Sequence, residues 1–521
     1  MVKFEGRILQ FGFGAVGKSF FEKIRYEVDF DEYNYYVFTR EKTEFEAFIN
    51  LGGIASNFRV GELNQGNYVE IFSSVLRSGD LLIDFADTVG TRDILKWCAD
   101  NNIMYINTGE ADWPYKWYCI FEENEKKCIM QKEYEGLNVP IVLQHGNNPG
   151  LVSHFVKAAL EYIVETQFKN KKLGGLFSKN SNKANDNDLA EHKLDYAELK
   201  NMLVNNEYNK LAKALRLRIL HVNDIDLQKV KDGYKDKKLY NTWCSETFLY
   251  ELLSETAYNI GTHERLEIDN KCIIKDKEKG IIKLEDIAVN VKCNTIYPGG
   301  VFEGFVVPHE ETITIAKGLE CREGEEVYRP TVMFVYSPCE YATRYLENAK
   351  VNNYPNPDPD KPQDFEGNAE ETIVHGHEYP RENELLYREK ISEGTEYVGV
   401  LLLGENFDPV WVGNRVELSF LCKGKSAKKS SYWQTPTITP VAVSALAAVS
   451  WMLKNRDKGG IYFPDNIMDY KYIIKLAEKY ISKTIYKTFT KEEVEKELGI
   501  RFNDLQMEDL WVKSQDCGNA N

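Results

Sequence analysis

No run of apolar residues in this chain approaches the roughly 20 that cross a bilayer, which excludes a helical membrane span. A disulfide framework is also missing. The ten cysteines (Cys98, Cys119, Cys128, Cys244, Cys272, Cys293, Cys321, Cys339, Cys422 and Cys517) are scattered, with no C-x-x-C pair. Such scatter in a large chain reads as reduced, buried thiols of a cytosolic protein. Positive charge is in short supply: 65 Lys and Arg stand against 81 Asp and Glu, a formal net charge of −16. That surplus argues against a phosphate backbone, so no nucleic acid is expected as partner, and it suits a cationic substrate. Solubility alone would account for the same number. The Lys-rich runs at 169–172 and 423–429 read accordingly as solvated faces. No internal repeat is present, and no secretory h-region opens the chain, so a cytoplasmic protein without a membrane partner is expected.

What is there begins at once. Residues 6–17 run from a short apolar strand, Ile8–Phe11, straight into G-x-G-x-x-G at Gly12, Gly14 and Gly17. Gly12 permits the tight turn, Gly14 lets a pyrophosphate approach the backbone and Gly17 allows close helix–strand packing. The helix that follows, from Lys18 onward, would aim its N-terminal amides at the phosphates, with Ala15 and Val16 in the turn as cofactor-binding candidates. Strands expected at Tyr35–Phe38, Leu81–Asp84, Met104–Asn107 and Pro140–Leu143 alternate with helices such as Gly17–Tyr26 and Thr91–Asp100. The fold class expected is α/β: an N-terminal Rossmann-type doubly wound parallel sheet plus a second, α+β substrate domain. At 521 residues two or three domains are expected: a dinucleotide-binding domain at 1–150, a substrate domain at 151–434, and a C-terminal helical segment at 435–521 packing back on the first. Residues 168–216 read as a surface insertion with helical stretches, and 352–371 as an acidic, proline-rich loop. Further on, the pattern predicts strands at Ile219–Val222, near Ile287–Val291, at Thr312–Ala316 and at Val398–Leu403. Helices are predicted at Phe248–Ala257, Thr435–Leu453, 468–482 and 489–498.

Polar residues at strand ends are the candidates for chemistry, because ligands bind outside the carboxyl edge of such sheets. The second strand ends Thr39-Arg40 rather than in an acid. Thr39 would hydrogen-bond the ribose, and Arg40 would stack on adenine or meet a 2′-phosphate, which leaves NAD and NADP both open. Asp87 and Thr88 follow the strand Leu81–Asp84, in the loop that lies over the cofactor in such folds, and are cofactor-side candidates. Asn107 and Thr108 end the next strand, with Glu110 readable either as a cap or as a site residue. In His145-Gly146-Asn147-Asn148-Pro149-Gly150, an amide from Asn147 or its neighbours would reach nicotinamide, beside Pro149. His375-Gly376-His377 has no third ligand in spacing, so no metal is expected there.

With these blocks the chain resembles bacterial-type homospermidine synthases, relatives of saccharopine dehydrogenase-like enzymes. The matching residues are the Gly12–Gly17 fingerprint, Asn107-Thr108 with Glu110 and Trp113, and Asn148-Pro149-Gly150-Leu151-Val152-Ser153-His154. To these add Asn241-Thr242-Trp243 with Glu251, Gly261-Thr262-His263-Glu264, His309 with Glu311, and Gly399-Val400-Leu401-Leu402. They span most of residues 1–450; the insertion and the tail beyond about 485 fall outside the match. The resemblance implies NAD as cofactor, a homodimer, and small-molecule diamines or polyamines as substrates. The implied reaction oxidises putrescine (or spermidine as donor) to an imine, releases ammonia, adds a second putrescine and reduces the new imine with the retained cofactor. It also implies roles. Trp243 would bind the substrate ammonium by a cation–π contact worth roughly 2 kcal/mol when desolvated. Glu251, Asp224 and Glu396 would be carboxylates along the channel, and Glu110 and Asn148 would line its inner end. His309 and Glu311 would act as base or in positioning.

Two positions depart from the family's usual pattern: Asp224 stands where Glu is commoner and Glu396 where Asp is. Each keeps its charge and moves it by about one methylene. Two other readings remain open on the sequence. A saccharopine- or carboxynorspermidine-type imine reductase would need arginines in the pocket, where these positions are acidic and aromatic. A cofactor-sensing protein would bind nucleotide without turnover.

Overall fold

The computed structural model describes residues 1–86, 89–109, 113, 133–134, 136–169, 194–231, 235, 238–265, 272–276, 280–348, 373–374, 377–378, 383–421 and 432–512. Two sheets organise the chain. The first has seven strands, all parallel, in the spatial order Gly460–Tyr462, Pro140–Val142, Met104–Asn107, Leu81–Asp84, Ile8–Phe11, Tyr35–Thr39, Phe58–Val60. Its central strands Met104–Asn107, Leu81–Asp84 and Ile8–Phe11 are buried throughout, as continuous apolar runs covered on both faces demand. Chain order reverses at Ile8–Phe11, the topological switch point, and the fingerprint follows that strand. The N-terminal half is thus the expected Rossmann-type doubly wound sheet.

Gly12 has φ +83°, and a Cβ there would sit 2.7 Å from the Phe85 carbonyl carbon. A Cβ on Gly17 would lie 2.4 Å from the Gly12 carbonyl oxygen, so only glycine lets the helix Ala15–Glu27 pack down on its own turn. Phe20, Phe21 and Ile24 project from that helix into the core with Tyr35 and Phe48.

The second sheet has ten strands and is mixed. Leu217–Asp226 lies at its centre, parallel to Thr331–Ser337 and antiparallel to Thr395–Gly404. Glu255–Asn259 and Gly300–Val307 share the far edge of Thr331–Ser337. The second half is therefore α+β. Gly399-Val400-Leu401-Leu402 sits mid-strand, where a Cβ on Gly399 would meet the Trp411 ring at 2.5 Å, so this block serves packing.

Three secondary-structure expectations are corrected, the first being the strand near Ile287–Val291, where Ala288–Asn290 forms a 3-10 turn between strands Ile281–Ile287 and Lys292–Tyr297. Thr312–Ala316 is helical, inside Glu310–Gly318. Its β-branched Thr-Ile-Thr-Ile run favours strand locally. Tertiary burial of Ile313 and Ile315, acids in the first turn, and a hydrogen bond from the Thr312 hydroxyl to the His309 carbonyl at 2.7 Å override it. The helix expected at Phe248–Ala257 ends at Leu253, and Glu255–Asn259 is a strand paired with Ile281–Ile287.

Residues 194–216 contain helices Tyr196–Val204 and Tyr208–Ala214, with Leu199, Leu203 and Leu211 buried. Of the C-terminal region, helix Ile438–Lys454 packs on the fingerprint helix and Gly460–Tyr462 extends the parallel sheet, while Ile485–Thr488 joins the mixed one. The acidic loop 352–371 lies outside the described residues. Among the described residues no helix is long and apolar enough to cross a membrane.

Candidate active site

The nucleotide side of the site is a cradle with open donors. The fingerprint helix starts at Gly14 without a side-chain cap, so its first amides are left for an outside acceptor. A Cβ at Gly14 would meet nothing within 4 Å, so the space in front of the turn is clear. Ala15 and Val16 form the first turn. At the neighbouring strand ends, Asn107 accepts the Gln144 amide at 2.7 Å through Oδ1, while its buried Nδ2 has no partner among the described residues. The buried Oδ1 of Asn147 is likewise unpartnered. Clear space beside helix amides, ringed by buried and unmatched amide groups, fits a dinucleotide. Thr39 is buried, its hydroxyl accepting the Glu41 amide at 3.3 Å, and Arg40 is exposed beside it. Thr108 is half-buried next to Asn107. Asp87, Thr88 and Glu110 lie outside the described residues.

The loop Gly146–Gly150 joins this cradle to the second sheet. Asn148 donates through Nδ2 to Asp224 Oδ2 at 2.8 Å, and the following peptide bond to Pro149 is cis. Beneath the loop His145 and His154 share a hydrogen bond between their Nε2 atoms at 3.0 Å, and His145 Nδ1 meets the Ser444 hydroxyl at 3.1 Å. Burial pushes both imidazoles down, His145 to about 3, so the pair is neutral and structural.

Asp224 opens onto a cluster of acids. It and Asp226 alternate on the Leu217–Asp226 strand and therefore share a face. Glu396 stands directly opposite Asp226 in the antiparallel register, and Tyr336 opposite Asp224 in the parallel one. Glu251, on helix Ser245–Leu253, and His309 with Glu311, at the start of helix Glu310–Gly318, close the other side. Trp243 precedes helix Ser245–Leu253; it is half-buried, and its Nε1 donates to the Tyr336 hydroxyl at 3.3 Å.

Like charges facing each other on a sheet are destabilising, and buried charges call for partners. Yet among the described residues no lysine or arginine pairs with Asp224, Asp226, Glu251 or Glu396, all of them buried. Asp224 Oδ1, Glu311 Oε1 and Glu396 Oε2 are buried without a hydrogen-bond partner among the described residues. The cation within the cluster is His309. Its Nδ1 bonds Glu311 and lies 3.4 Å from Glu310; its Nε2 is 3.9 Å from Glu251, and its ring stacks on Phe334. Burial alone would push this imidazole down, but the Glu311, Glu310 and Glu251 carboxylates overcome it and hold it up at about 10. One donor atom each from His309, Glu310 and Glu311 lies within 4.8 Å of the others, a set that could hold a metal ion only by displacing the His309 proton.

The carboxyls respond in the opposite sense. Burial raises Glu251 to about 8 and Asp224 to about 7, and lifts Glu396 well above the carboxylate range. The sign for stability follows. A folded pKa above the unfolded value of about 3.9 stabilises below that value, and the contribution is lost as pH rises through about 7. Asp224→Asn keeps the shape and removes the charge. It is expected to match the unmodified protein most closely in Tm near pH 4 and to exceed it by several degrees above pH 8, read by thermal unfolding. Equal Tm at both pH values would show that Asp224 carries no buried charge.

Of the residues singled out in the sequence, Asp224, Glu396, Glu251, His309, Glu311, Asn148 and Trp243 are thus gathered in one region beside the cradle. Gly261-Thr262-His263-Glu264 is elsewhere: Glu264 bonds Thr331 and accepts the Met507 amide at 3.0 Å, tying down the chain near its end. Asp226 and Tyr336 were missed. The alternation in Asn223-Asp224-Ile225-Asp226 was the available signal, two acids two apart on an otherwise apolar strand.

A dinucleotide cradle backed by a second, mixed sheet defines the class. Residues 8–134 match the saccharopine dehydrogenase NADP binding domain. More particularly, the chain is 25% identical over 522 residues to the homospermidine synthase of Mesorhizobium japonicum, covering 97% of this chain and 95% of that protein. It is 22% identical to the homospermidine synthase of Blastochloris viridis, over 93% and 91% of the two chains. The crystal structure of Legionella pneumophila homospermidine synthase in complex with NAD superimposes with a TM-score of 0.77 at 22% identity, covering 99% of each chain. The resemblance to homospermidine synthases therefore extends over nearly the whole chain, and that to the saccharopine dehydrogenase NADP binding domain over residues 8–134.

Proposed function

We propose that the chain is an NAD-dependent aminobutyl transferase of the homospermidine synthase type, joining two putrescines into homospermidine with loss of one ammonia. The observation that carries this reading is the set of buried carboxylates without lysine or arginine partners among the described residues, one of which, Asp224, is bonded to the Asn148 loop at the edge of the cradle. A flexible diammonium compound supplies the missing positive charges. The pyrophosphate would be held by Gly12, Gly14 and Gly17 with the amides of Ala15 and Val16, the ribose by Thr39, and the nicotinamide end by Asn107, Thr108 and Asn147. When bound, NAD supplies the hydride acceptor for amine oxidation and, once reduced, the donor for the final imine reduction.

The protein's own part is charge and proton management. An alkylammonium, with a pKa near 10.4, must lose a proton before hydride abstraction. His309 is already protonated at neutral pH and so holds Glu251 and Glu311 in place rather than accepting that proton. Asp224 has a free oxygen and titrates near 7, the range suited to a general base. Asn148 holds its other oxygen. Glu251 and Glu396 would receive the distal ammonium, with the Trp243 indole across its path. A reductase acting on a carboxylate-bearing imine would call for cationic residues where this cluster is acidic.

The test is to incubate the purified protein with putrescine and a substoichiometric amount of NAD, and to follow homospermidine and ammonia by mass spectrometry. Product in excess of cofactor is expected, without net NADH accumulation. Cofactor consumed one-for-one would favour the reductase, and no product a sensor.

A further inference from the structure

Asp226 differs from the acids around it in having its oxygens occupied. Its Oδ1 accepts the Gln228 amide at 2.9 Å and Gln228 Nε2 at 3.0 Å, and its Oδ2 accepts the Thr242 hydroxyl at 2.8 Å. Gln228 Nε2 also donates to the Thr437 hydroxyl at 2.8 Å, and that hydroxyl donates to Glu396 Oε1 at 3.1 Å. A continuous chain of hydrogen bonds thus runs from the residue before Trp243, through Asp226 and Gln228, to the turn that leads into helix Ile438–Lys454 and on to Glu396. The division of labour follows from which oxygens are free. Asp224 Oδ1 and Glu396 Oε2 are open to a ligand; Asp226, 2% exposed, has spent its acceptors on the protein. A carboxylate facing another across a sheet, with no cation partner, is a costly choice unless its three donors need an anionic acceptor to converge on.

We propose that Asp226 is a positioning residue that holds the Trp243 indole and the Glu396 carboxylate in mutual register, acting through Thr242 on one side and the Gln228–Thr437 relay on the other. The inference rests on the polyamine reading only for the identity of the ligand; the coupling is a property of the apoprotein. Without the anchor, the indole and the carboxylate are each free to shift, and a diammonium ligand no longer meets both at once.

The test uses full-length protein labelled with 5-fluorotryptophan, the Trp243 fluorine resonance being assigned by its loss in Trp243→Phe. Two variants cut the anchor: Asp226→Asn, and Thr242→Val, which is isosteric and leaves every carboxylate in place, so that one remains informative should the other not fold. In both, the Trp243 resonance is expected to shift or broaden in the apoprotein. In both, KM for putrescine is expected to rise about tenfold with kcat within about threefold, while NAD affinity holds. The double variant should be no worse than Asp226→Asn alone, because the two act through one path. An unchanged Trp243 resonance in Thr242→Val overturns the proposal whatever the site binds. Failure of the polyamine reading shows separately, as an unmodified protein whose Trp243 resonance does not respond to putrescine.

Discussion

His309→Gln is expected to lower kcat/KM for putrescine by about a hundredfold to a thousandfold at pH 7 and to move the acid limb of its pH profile upward. The imidazolium is the one cation among the described residues set against Glu311, Glu310 and Glu251. Its charge favours the ionised forms of Glu251 and Asp224, opposing the burial that raises both. Glutamine keeps a donor near Glu311 and loses the charge. Both carboxyls then titrate at still higher pH, and Asp224, which titrates near 7 beside the imidazolium, becomes largely protonated at neutrality and presents no anion to the substrate ammonium. The activity lost should therefore be partly regained on going from pH 7 to pH 9, with NAD affinity unchanged. A merely structural histidine gives a different result: a lowered Tm and a uniformly reduced profile of unaltered shape. That outcome, measured by kcat/KM across pH together with thermal unfolding, would remove His309 from the electrostatics of the site.

The nucleotide half was readable from the chain because its signals are local. A strand, three glycines at fixed offsets and an amphipathic helix lie within twenty residues; Gly12 and Gly17 are needed for contacts their neighbours dictate, and the space before Gly14 is clear. The acid pocket is another matter. Asp224 and Glu396 are far apart in the chain and become neighbours only through the antiparallel pairing of their strands, while Glu251 and His309 arrive on two separate helices. No periodicity announces such a meeting, and their candidacy came from resemblance rather than spacing. Asp226 went unremarked because a carboxylate whose partners are Thr242 and Gln228 looks, in sequence, like any polar residue at a strand end. The Thr312–Ala316 segment misled for the converse reason. Its β-branched residues carry a genuine strand preference, which burial of one helix face outweighs.

Trp243→Ala is expected to reduce kcat/KM for putrescine by about thirtyfold to a hundredfold, most of it in KM, while Trp243→Phe retains a substantial part of the activity. A cation–π contact in a desolvated pocket is worth roughly 2 kcal/mol, close to thirtyfold, and truncation also opens space beside the ammonium path. Phenylalanine keeps a ring face of weaker quadrupole and gives up the Nε1 hydrogen bond to Tyr336, at 3.3 Å a long one whose loss costs little. The indole sits on the acid side of the site, separated from the fingerprint turn by the Asn148–Asp224 bridge, so NAD affinity should hold in both variants. The contrast between ring and methyl is what makes the experiment decisive. If Trp243 only fills core space, both variants lower Tm in proportion to volume and the diamine KM stays put. If it faces the ammonium, affinity follows the presence of an aromatic face and a neutral substrate analogue lacking the distal amine is indifferent to all three side chains.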